Sequence, residues 1–521
     1  MHPIAMLQKP DMPTFRRSRV WKFCIPVSLA LVGFALFFAG VRLARPGTVF
    51  YYTEGPVLGS LAALEAAGDV ADLYPSDSWQ EPPVVLTLYP PGYFLAAAAA
   101  DRAFGTVGTL LGLRAVSALA FLGLLGLLAL HTLRRRAPAA WVLAIAAASL
   151  ITPAVYRLIS AAQPDPLALF LTWLGIWAVL DPRGRRIRRG AAPLCFAGLA
   201  FFCAFFAKQS FVAAPAAVAL TLAIDGRLKT GLIFAALLIV TVVVTVFLLD
   251  TVTDGGYLAN TVGALTVDAG WANLWSTFVA SAPIQWLPIL AGVLIAGAAR
   301  RPRDFAGLYF LGSAALHIAA MLKTGSSVNY FLEPTFALLL LATIRWPSQD
   351  DESSLPGKRT PRRRHTVVAS ILAVAMFLPA AHAAWKNVPE LKMWTASTMA
   401  PPPLRFEGHP LVEAHFFPAV LASGERPWLN DPFAFGAMLE TGRWDPARLV
   451  TELEQRRVPF ALTEVNPDRG PAPQGAGSRE LVFEYFWRAP PIWNALTRSY
   501  IPARAESVTA WLPRADDAPH D

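Results

Sequence analysis

The sequence predicts a polytopic α-helical membrane protein, with about 11 transmembrane helices and a small α/β domain outside the membrane at its C-terminal end. Composition is the first of three observations behind this prediction. The 521 residues are 55% hydrophobic and 16% charged, whereas an ordinary soluble protein is about 25% charged. The second is a series of apolar runs near the length of about 20 residues that a bilayer requires. The third is a regular alternation of basic and non-basic loops between those runs.

Eleven apolar segments account for the predicted helices. They are residues 21–41, 111–131, 138–156, 166–180, 191–207, 211–224, 231–249, 282–299, 306–322, 330–344 and 367–384. Several are shorter than about 20 residues, and the charges of the loops beside them support their assignment. The first is long enough to span, and no Ala-x-Ala-like cleavage site follows it. We therefore expect it to remain a membrane helix rather than a cleaved signal peptide.

Basic residues occupy every second loop between these segments, beginning with the N-terminal arm. The basic loops are HTLRRR (131–136), DPRGRRIRRG (181–190), DGRLK (225–229), RRPRD (300–304) and GKRTPRRRH (357–365). The loop at 250–281 contains neither Lys nor Arg. Because basic loops stay in the cytoplasm, we expect the N-terminus inside and the C-terminus outside. The net charge of +9 follows from this topology, and nucleic acid is not an expected partner.

Two domains follow from the topology. Residues 1–384 form the transmembrane module, with long exterior loops at 42–110 and 250–281, and residues 385–521 form the exterior domain. In that domain DPARLVTELEQRRVPFALTEV (445–465) predicts a helix followed by a strand. In the first exterior loop, the stretches that begin at Thr53 and Tyr89 predict two short helices on the membrane interface.

Ionisable side chains at the exterior ends of the spans are the candidate functional residues, since such groups are costly at membrane depth. They are Glu54, Asp165, Lys208, Lys323 and Glu333, with Asn329 and Tyr330 beside the last. They come from different spans but from one side of the membrane, as a shared cleft requires. Each also has a simpler interpretation. Glu54 and Asp165 can stabilise helix N-termini, and the lysines, like Arg157, can extend to lipid headgroups.

Searches for other chemistry are negative. The chain has no Walker A motif and no glycine-rich nucleotide fingerprint. The stretch EGHPLVEAH (407–415) lacks the spacing of a helical zinc site, so no metal ligands are assigned and no cofactor is expected. His317, alone in a predicted span, is interpreted as a packed core residue.

Five stretches together resemble the C-type (GT-C) glycosyltransferases that use polyprenyl-phosphate sugars, such as the aminoarabinose transferase of lipid A and the protein O-mannosyltransferases. They are TEGPVLGSLAALEAAGDVADLY (53–74), YPPGYFLAAAAADRAFG (89–105), AAQPDPLALFLTWLGI (161–176), AFFAKQSFVAAPAAVAL (204–220) and KTGSSVNYFLEPTFALLLLA (323–342). The resemblance covers most of residues 45–345. An exterior α/β tail also fits the architecture of that superfamily.

The resemblance implies transfer of a sugar from a polyprenyl phosphate to a hydroxyl of a glycan, lipid or protein, at the exterior face of the bacterial inner (plasma) membrane. It makes Glu54 the general base, Lys323, Lys208 and Arg157 the phosphate-binding cations, and Asp165, Asn329, Tyr330, Glu333 and Tyr89 the substrate-binding residues. The family often has Asp-Glu where this chain has Thr53 and Glu54. One carboxylate is left, so a divalent metal is possible there but not supported by the sequence.

Two other functions remain open from the sequence. A transporter or flippase of lipid-linked sugars would also need polar groups within the membrane, although transporters usually show repeats and interrupted helices near the midplane. A non-catalytic membrane protein of envelope assembly could use the exterior tail to bind a partner. Replacement of Glu54 separates the enzyme from the scaffold, because a scaffold keeps its function.

Overall fold

The structure is a computed structural model, and it describes most of the chain in separate ranges. These are residues 39–49, 52–76, 81–134, 161–181, 186–264, 286–297, 304–322, 328–345, 408–463, 467–471, 485–505 and 508–514, with a few isolated positions between them. The account of the fold below concerns these residues.

Eight apolar helices correspond to eight of the predicted spans. They are α3 (Leu111–Arg134), α4 (Asp165–Val179), α5 (Ala191–Ala207), α6 (Ala213–Ile224), α7 (Leu228–Val252), α8 (Leu287–Gly297), α9 (Phe305–Ala320) and α10 (Leu332–Arg345). Residues 39–43 are also helical and lie at the end of the first predicted span. The segments at 138–156 and 367–384 lie outside the described residues, so the count of eleven stays a prediction.

Two described helices, α3 and α7, are each long and apolar enough to cross a membrane. In α7 the most apolar window has a mean hydropathy of 3.2, and only 6% of it is buried within the protein. Leu237 and Phe247 on this helix are exposed by 64% and 68%. A helix that is hydrophobic all round and uncovered by protein is typical of one surrounded by lipid.

The other helices pack around a core of aromatic and aliphatic side chains. Phe336 on α10 makes edge-to-face contacts with Phe121 and Trp173, each with ring centroids 6.1 Å apart. Gly175 on α4 lets α5 approach closely, since a Cβ there would lie 2.6 Å from the ring of Phe201. The apolar sides of these shorter helices therefore contact one another, whereas α7 stands at the periphery.

The two helices predicted in the first exterior loop are confirmed as α1 (Glu54–Ala67) and α2 (Gly92–Phe104). The helix α1 ends at Gly68, which has a φ of +79° and donates its amide to the carbonyl of Leu64. The position of α1 and α2 on the membrane interface stays a prediction, and the structure shows that protein covers α1. Leu58 and Leu61 are completely buried, and their cluster includes Phe417 of the C-terminal region. Because α1 has apolar residues on all its sides, it must be buried on more than one side, and other parts of the protein bury it.

The C-terminal region contains a four-stranded mixed sheet in the order β1-β2-β4-β3. The strands are β1 (Leu411–Val412), β2 (Ala461–Thr463), β3 (Tyr500–Ala505) and β4 (Val508–Pro513), and only the β1–β2 pair is parallel. Five helices accompany the sheet: α11 (Phe417–Ala422), α12 (Pro432–Glu440), α13 (Ala447–Glu454), α14 (Tyr485–Arg488) and α15 (Pro490–Ser499). The predicted helix and strand within 445–465 are confirmed as α13 and β2. The boundary at residue 384 lies outside the described residues and stays a prediction.

The C-terminal region packs directly on the first exterior loop. Val84 bridges to Leu429 in parallel, and its amide donates to the carbonyl of Trp428 at 2.8 Å. The side chain of Asn430 accepts from the amide of Leu86 at 2.8 Å and donates to Ser60 Oγ at 3.1 Å. These contacts join two parts of the chain that are more than 340 residues apart, since Asn430 and Leu86 differ by 344 positions.

Two glycines of α1 make this close packing possible. A Cβ on Gly55 would lie 2.5 Å from the carbonyl oxygen of Ala414, and one on Gly59 would lie 2.8 Å from the Cβ of Asn430. Real Cβ atoms do not approach other atoms so closely, so both positions require glycine if the contact is kept. The glycine after Glu54 therefore admits the C-terminal region to the start of α1.

Candidate active site

Glu54, the first residue of α1, is held in a buried pair with Arg114 of α3. The guanidinium donates from Nε to Oε1 at 2.9 Å and from Nη2 to Oε2 at 2.7 Å, and both side chains are 0% exposed. The amide of Ala162 also donates to Oε1, at 3.0 Å. Such bidentate pairs are the strong ones. Glu54 therefore fixes the backbone of the segment that leads into α4.

Arg114 uses all five of its N–H donors in this arrangement. The three that remain after Glu54 go to the carbonyls of Arg42, Arg45 and Thr48, at 2.9, 2.9 and 2.6 Å. The carbonyl of Arg42 lies in the last turn of the first helical segment, and those of Arg45 and Thr48 follow its end. One arginine thus connects the exit of the first predicted span, the start of α1 and, through Glu54, the segment before α4.

A second ion pair lies at the N-terminal end of α4. Lys208 Nζ, just after α5, is 2.5 Å from Asp165 Oδ1, and both residues are buried. The ammonium is also 5.7 Å from the ring centroids of Tyr89 and of Tyr330, within the range of a cation–π contact. We call Asp165, Lys208, Tyr89 and Tyr330 the lysine cluster.

The lysine cluster is positioned from two sides. The side-chain amide of Gln209 donates to the carbonyl of Leu88 at 3.1 Å, which fixes the residue before Tyr89. The hydroxyl of Ser117 donates to the carbonyl of Gln163 at 2.9 Å, two residues before Asp165. Burial, with a smaller contribution from the charge of Asp165, raises the pKa of Tyr89. The phenol of Tyr89 therefore stays protonated at neutral pH and remains a hydrogen-bond donor.

Glu333 and His317 lie behind the lysine cluster. His317 Nδ1 is 2.8 Å from the carbonyl of Ser313, and its Nε2 is 3.5 Å from Glu333 Oε2. The imidazole ring is 6.0 Å from the ring of Tyr330. Glu333 is 0% exposed, so a carboxyl group is enclosed beside the aromatic wall of the cluster.

Of the predicted site residues, the structure brings together Asp165, Lys208, Tyr89 and Tyr330, with Glu333 behind them and Asn329 next to Tyr330 in sequence. Glu54 is in a separate pair, linked to this group through Ala162. Tyr93 lies near both carboxylates, Glu54 and Asp165. Lys323 and Arg157, two of the predicted phosphate-binding cations, lie outside the described residues.

Sequence reasoning missed Arg114 and undervalued His317. Arg114 is an ionisable residue in the first turns of an apolar helix, which is the same signal that selected Lys208. His317 was interpreted as a packed core residue, and it is indeed buried, but its neighbour is the carboxyl group of Glu333. The pattern of apolar residues indicates how deeply a polar side chain is buried, but it does not indicate which side chain will contact it.

Nothing in the described ranges gathers three or more His, Cys, Asp or Glu side chains in a geometry suited to a metal ion.

Comparison with known proteins supports the fold. No family model matches the chain, and no curated protein matches it. Among solved structures, the apo oligosaccharyltransferase of Archaeoglobus fulgidus matches with a TM-score of 0.50 and 12% identity, over 96% of this chain and 75% of that one. ArnT of Cupriavidus metallidurans bound to undecaprenyl phosphate has a TM-score of 0.49 and 15% identity, over 94% and 98% of the two chains. At 12% identity, the match to the oligosaccharyltransferase shows a similar fold, and it agrees with the polytopic membrane fold that the sequence predicts.

Proposed function

We propose that the protein is a membrane glycosyltransferase that moves a sugar from a polyprenyl-phosphate donor to an acceptor hydroxyl at the exterior face. The fold supports the class of enzyme. The lysine cluster carries the proposal, because it places a buried ammonium between two aromatic rings and beside a carboxylate, at ends of apolar helices where a lipid headgroup would arrive.

Lys208 supplies the positive charge that the leaving group requires. When the bond between the anomeric carbon and the phosphate oxygen breaks, negative charge collects on the phosphate, and a fixed cation in a buried site stabilises it strongly. Lys208 is 6% exposed and is paired with Asp165 in this structure. The phosphate would have to take over at least part of this pairing. Lys323 and Arg157 remain predicted as further phosphate-binding residues.

Two carboxylates are candidates for the general base that removes the proton of the acceptor hydroxyl. The assignment of Glu54 as the base stays a prediction. Both of its carboxylate oxygens already accept hydrogen bonds from Arg114, so neither oxygen is free for the proton of the acceptor hydroxyl. Asp165 meets the geometric need more simply, because its Oδ2 is buried without a hydrogen-bond partner. We therefore propose Asp165 as the base, with Glu54 and Arg114 as residues that position the backbone before it.

The number of spans and the side of the membrane on which each end of the chain lies belong to the same proposal. Eleven spans would place the N-terminus in the cytoplasm and the domain from residue 385 onward in the periplasm of a bacterial cell. The acceptor, a glycan, lipid or protein, would then enter from the periplasmic side, and the transfer would be metal-independent. A reporter active only outside the cytoplasm, fused after Asp521, should be active. The same reporter fused after Arg186 should be silent.

A transfer assay with matched variants tests the proposed function. The purified protein is incubated with radiolabelled polyprenyl-phosphate sugars and membrane extract, and transfer of the label is measured. Lys208→Met should abolish transfer, whereas Lys229→Met, at the exposed start of α7, should leave it unchanged. Asp165→Asn should lower the rate by roughly 10²-fold or more, with Asp225→Asn, exposed after α6, as its control. Full activity of Lys208→Met would exclude the lysine cluster as the site.

A further inference from the structure

Two side chains next to the lysine cluster in sequence, Gln163 and Ser210, carry buried hydrogen-bond donors that have no acceptor. The side-chain amide nitrogen of Gln163, Nε2, and the hydroxyl of Ser210 are both enclosed by protein, and neither makes a hydrogen bond. Gln163 as a whole is only 3% exposed. A buried polar group without a partner is uncommon in a folded protein and destabilises it. Each of the two groups therefore indicates a place where a ligand can bind.

Both residues lie in short segments that the ion pair of the cluster brings together. Gln163 is two positions before Asp165, and its carbonyl accepts from the hydroxyl of Ser117 at 2.9 Å, which fixes its backbone. Ser210 is two positions after Lys208, in the connection between α5 and α6. Because Asp165 and Lys208 are paired, the segment that carries Gln163 is adjacent to the one that carries Ser210.

The phosphate is the part of the lipid-linked donor that best matches these two groups. An amide N–H only donates, so its partner must be an acceptor, and the free oxygens of a phosphodiester accept without donating. Lys208 brings a positive charge, but it shares that charge with Asp165. Neutral donors add hydrogen bonds to an anion without a further charge in a buried site, and such bonds are about twice as strong as those between neutral groups.

We propose that Gln163 and Ser210 bind the phosphate of the donor as neutral hydrogen-bond donors beside Lys208. The inference rests on the proposed function, because it assigns two further residues to the donor of that reaction. A phosphate that accepts from both side chains connects the segment before α4 to the one after α5. It also gives each unpaired group its missing partner, so the protein should discriminate strongly between a lipid with a phosphate and the same lipid without one.

Binding of two lipids that differ only in the phosphate tests the inference. Labelled polyprenyl phosphate and the corresponding polyprenol are titrated with the full-length protein in nanodiscs. Neither lipid carries a sugar, so a contact with a sugar hydroxyl does not contribute. Gln163→Leu and Ser210→Ala should each weaken binding of polyprenyl phosphate by about tenfold or more, as expected for the loss of a hydrogen bond to a charged group, and leave binding of polyprenol unchanged. Equal weakening for both lipids, or an unchanged affinity for polyprenyl phosphate, would overturn the role of the residue that was replaced.

Thermal unfolding without lipid separates a binding role from a structural one. Since Gln163 Nε2 and the hydroxyl of Ser210 have no hydrogen bond to lose, Gln163→Leu and Ser210→Ala should unfold at or above the temperature of the wild type. A side chain that serves only the fold would give the opposite result, and a clearly lower unfolding temperature would overturn the inference.

Two matched controls complete the experiment. Gln455→Leu is exposed after α13, and Ser423→Ala replaces a hydroxyl that already donates to the carbonyl of Val420; both should bind polyprenyl phosphate as the wild type does. If the wild type itself binds polyprenyl phosphate no better than polyprenol, the proposed function fails. That result is distinct from a wild type that prefers the phosphate while the variants at Gln163 and Ser210 keep the preference, which overturns the inference alone.

Discussion

Replacement of Glu54 by Gln should destabilise the folded protein, because it removes the carboxylate that pairs with the buried guanidinium of Arg114. Both side chains are 0% exposed, and Nη2 is 2.7 Å from Oε2. Removal of one partner from a buried pair costs about 3–5 kcal/mol. The three carbonyls that accept from Arg114 would keep the side chain in place, so we expect a value near the lower end of that range.

Thermal unfolding in detergent, followed by intrinsic tryptophan fluorescence, measures this effect. The matched control is Glu452→Gln, whose partners Arg448 and Arg457 are 45% and 49% exposed; exposed pairs contribute about 0–1 kcal/mol. The double variant with Glu54→Leu and Arg114→Met should recover only part of the loss, since it removes the unbalanced charge but also removes the donor to the carbonyls of Arg42, Arg45 and Thr48. If Glu54→Gln unfolds at the temperature of the wild type, the pair does not hold the fold together as described.

Three further predictions concern other parts of the molecule. Asp165→Asn should bind polyprenyl phosphate at least about tenfold more tightly than the wild type while losing transfer, because the carboxylate no longer competes for Lys208; weaker binding would contradict the competition. Asp431, where burial raises the pKa from 3.8 to about 7, binds its proton more tightly in the folded state than in the unfolded state. The stability that it contributes is therefore complete below about pH 4 and declines as pH rises to about 7. In Asp431→Asn the melting temperature should depend less on pH between about 4 and 7 than it does in the wild type. An unchanged dependence on pH would mean that another group causes it. Gly55→Ala should loosen the C-terminal region from α1 and speed hydrogen exchange at residues 411–430, whereas Gly126→Ala, with no atom within 4 Å of its added Cβ, should not; equal exchange in both variants would mean that the contact at Ala414 yields easily.

Periodicity predicted the described helices, and the polar residues at their ends predicted a shared site. Asp165, Lys208 and Tyr330 were selected because each stands at an end of an apolar segment, and Tyr89 was selected through the resemblance; the structure places the four together. This could be predicted because the cost of burying an ionisable group depends on depth, and depth can be read from the sequence.

The pairing of these groups could not be predicted in the same way. Glu54 binds Arg114 from 60 positions away, and Asp165 binds Lys208 from 43 positions away. Which helices are neighbours depends on packing among apolar surfaces that look alike in sequence. The cover of α1 could not be predicted for the same reason, since nothing local to residues 54–67 shows that Ala414 and Phe417 will pack on them.

The contacts of Asn430 and Val84 have a consequence for biogenesis. A ribosome makes the first exterior loop long before the residues that cover it, with Leu86 and Asn430 separated by 344 positions. Until residues 411–430 have been made, Leu58 and Leu61 have no Phe417 to pack against, and the backbone at Val84 and Leu86 lacks the partners that Trp428 and Asn430 supply. The first exterior loop therefore completes its fold only after this later part of the chain has been synthesised, so the two parts fold as one unit.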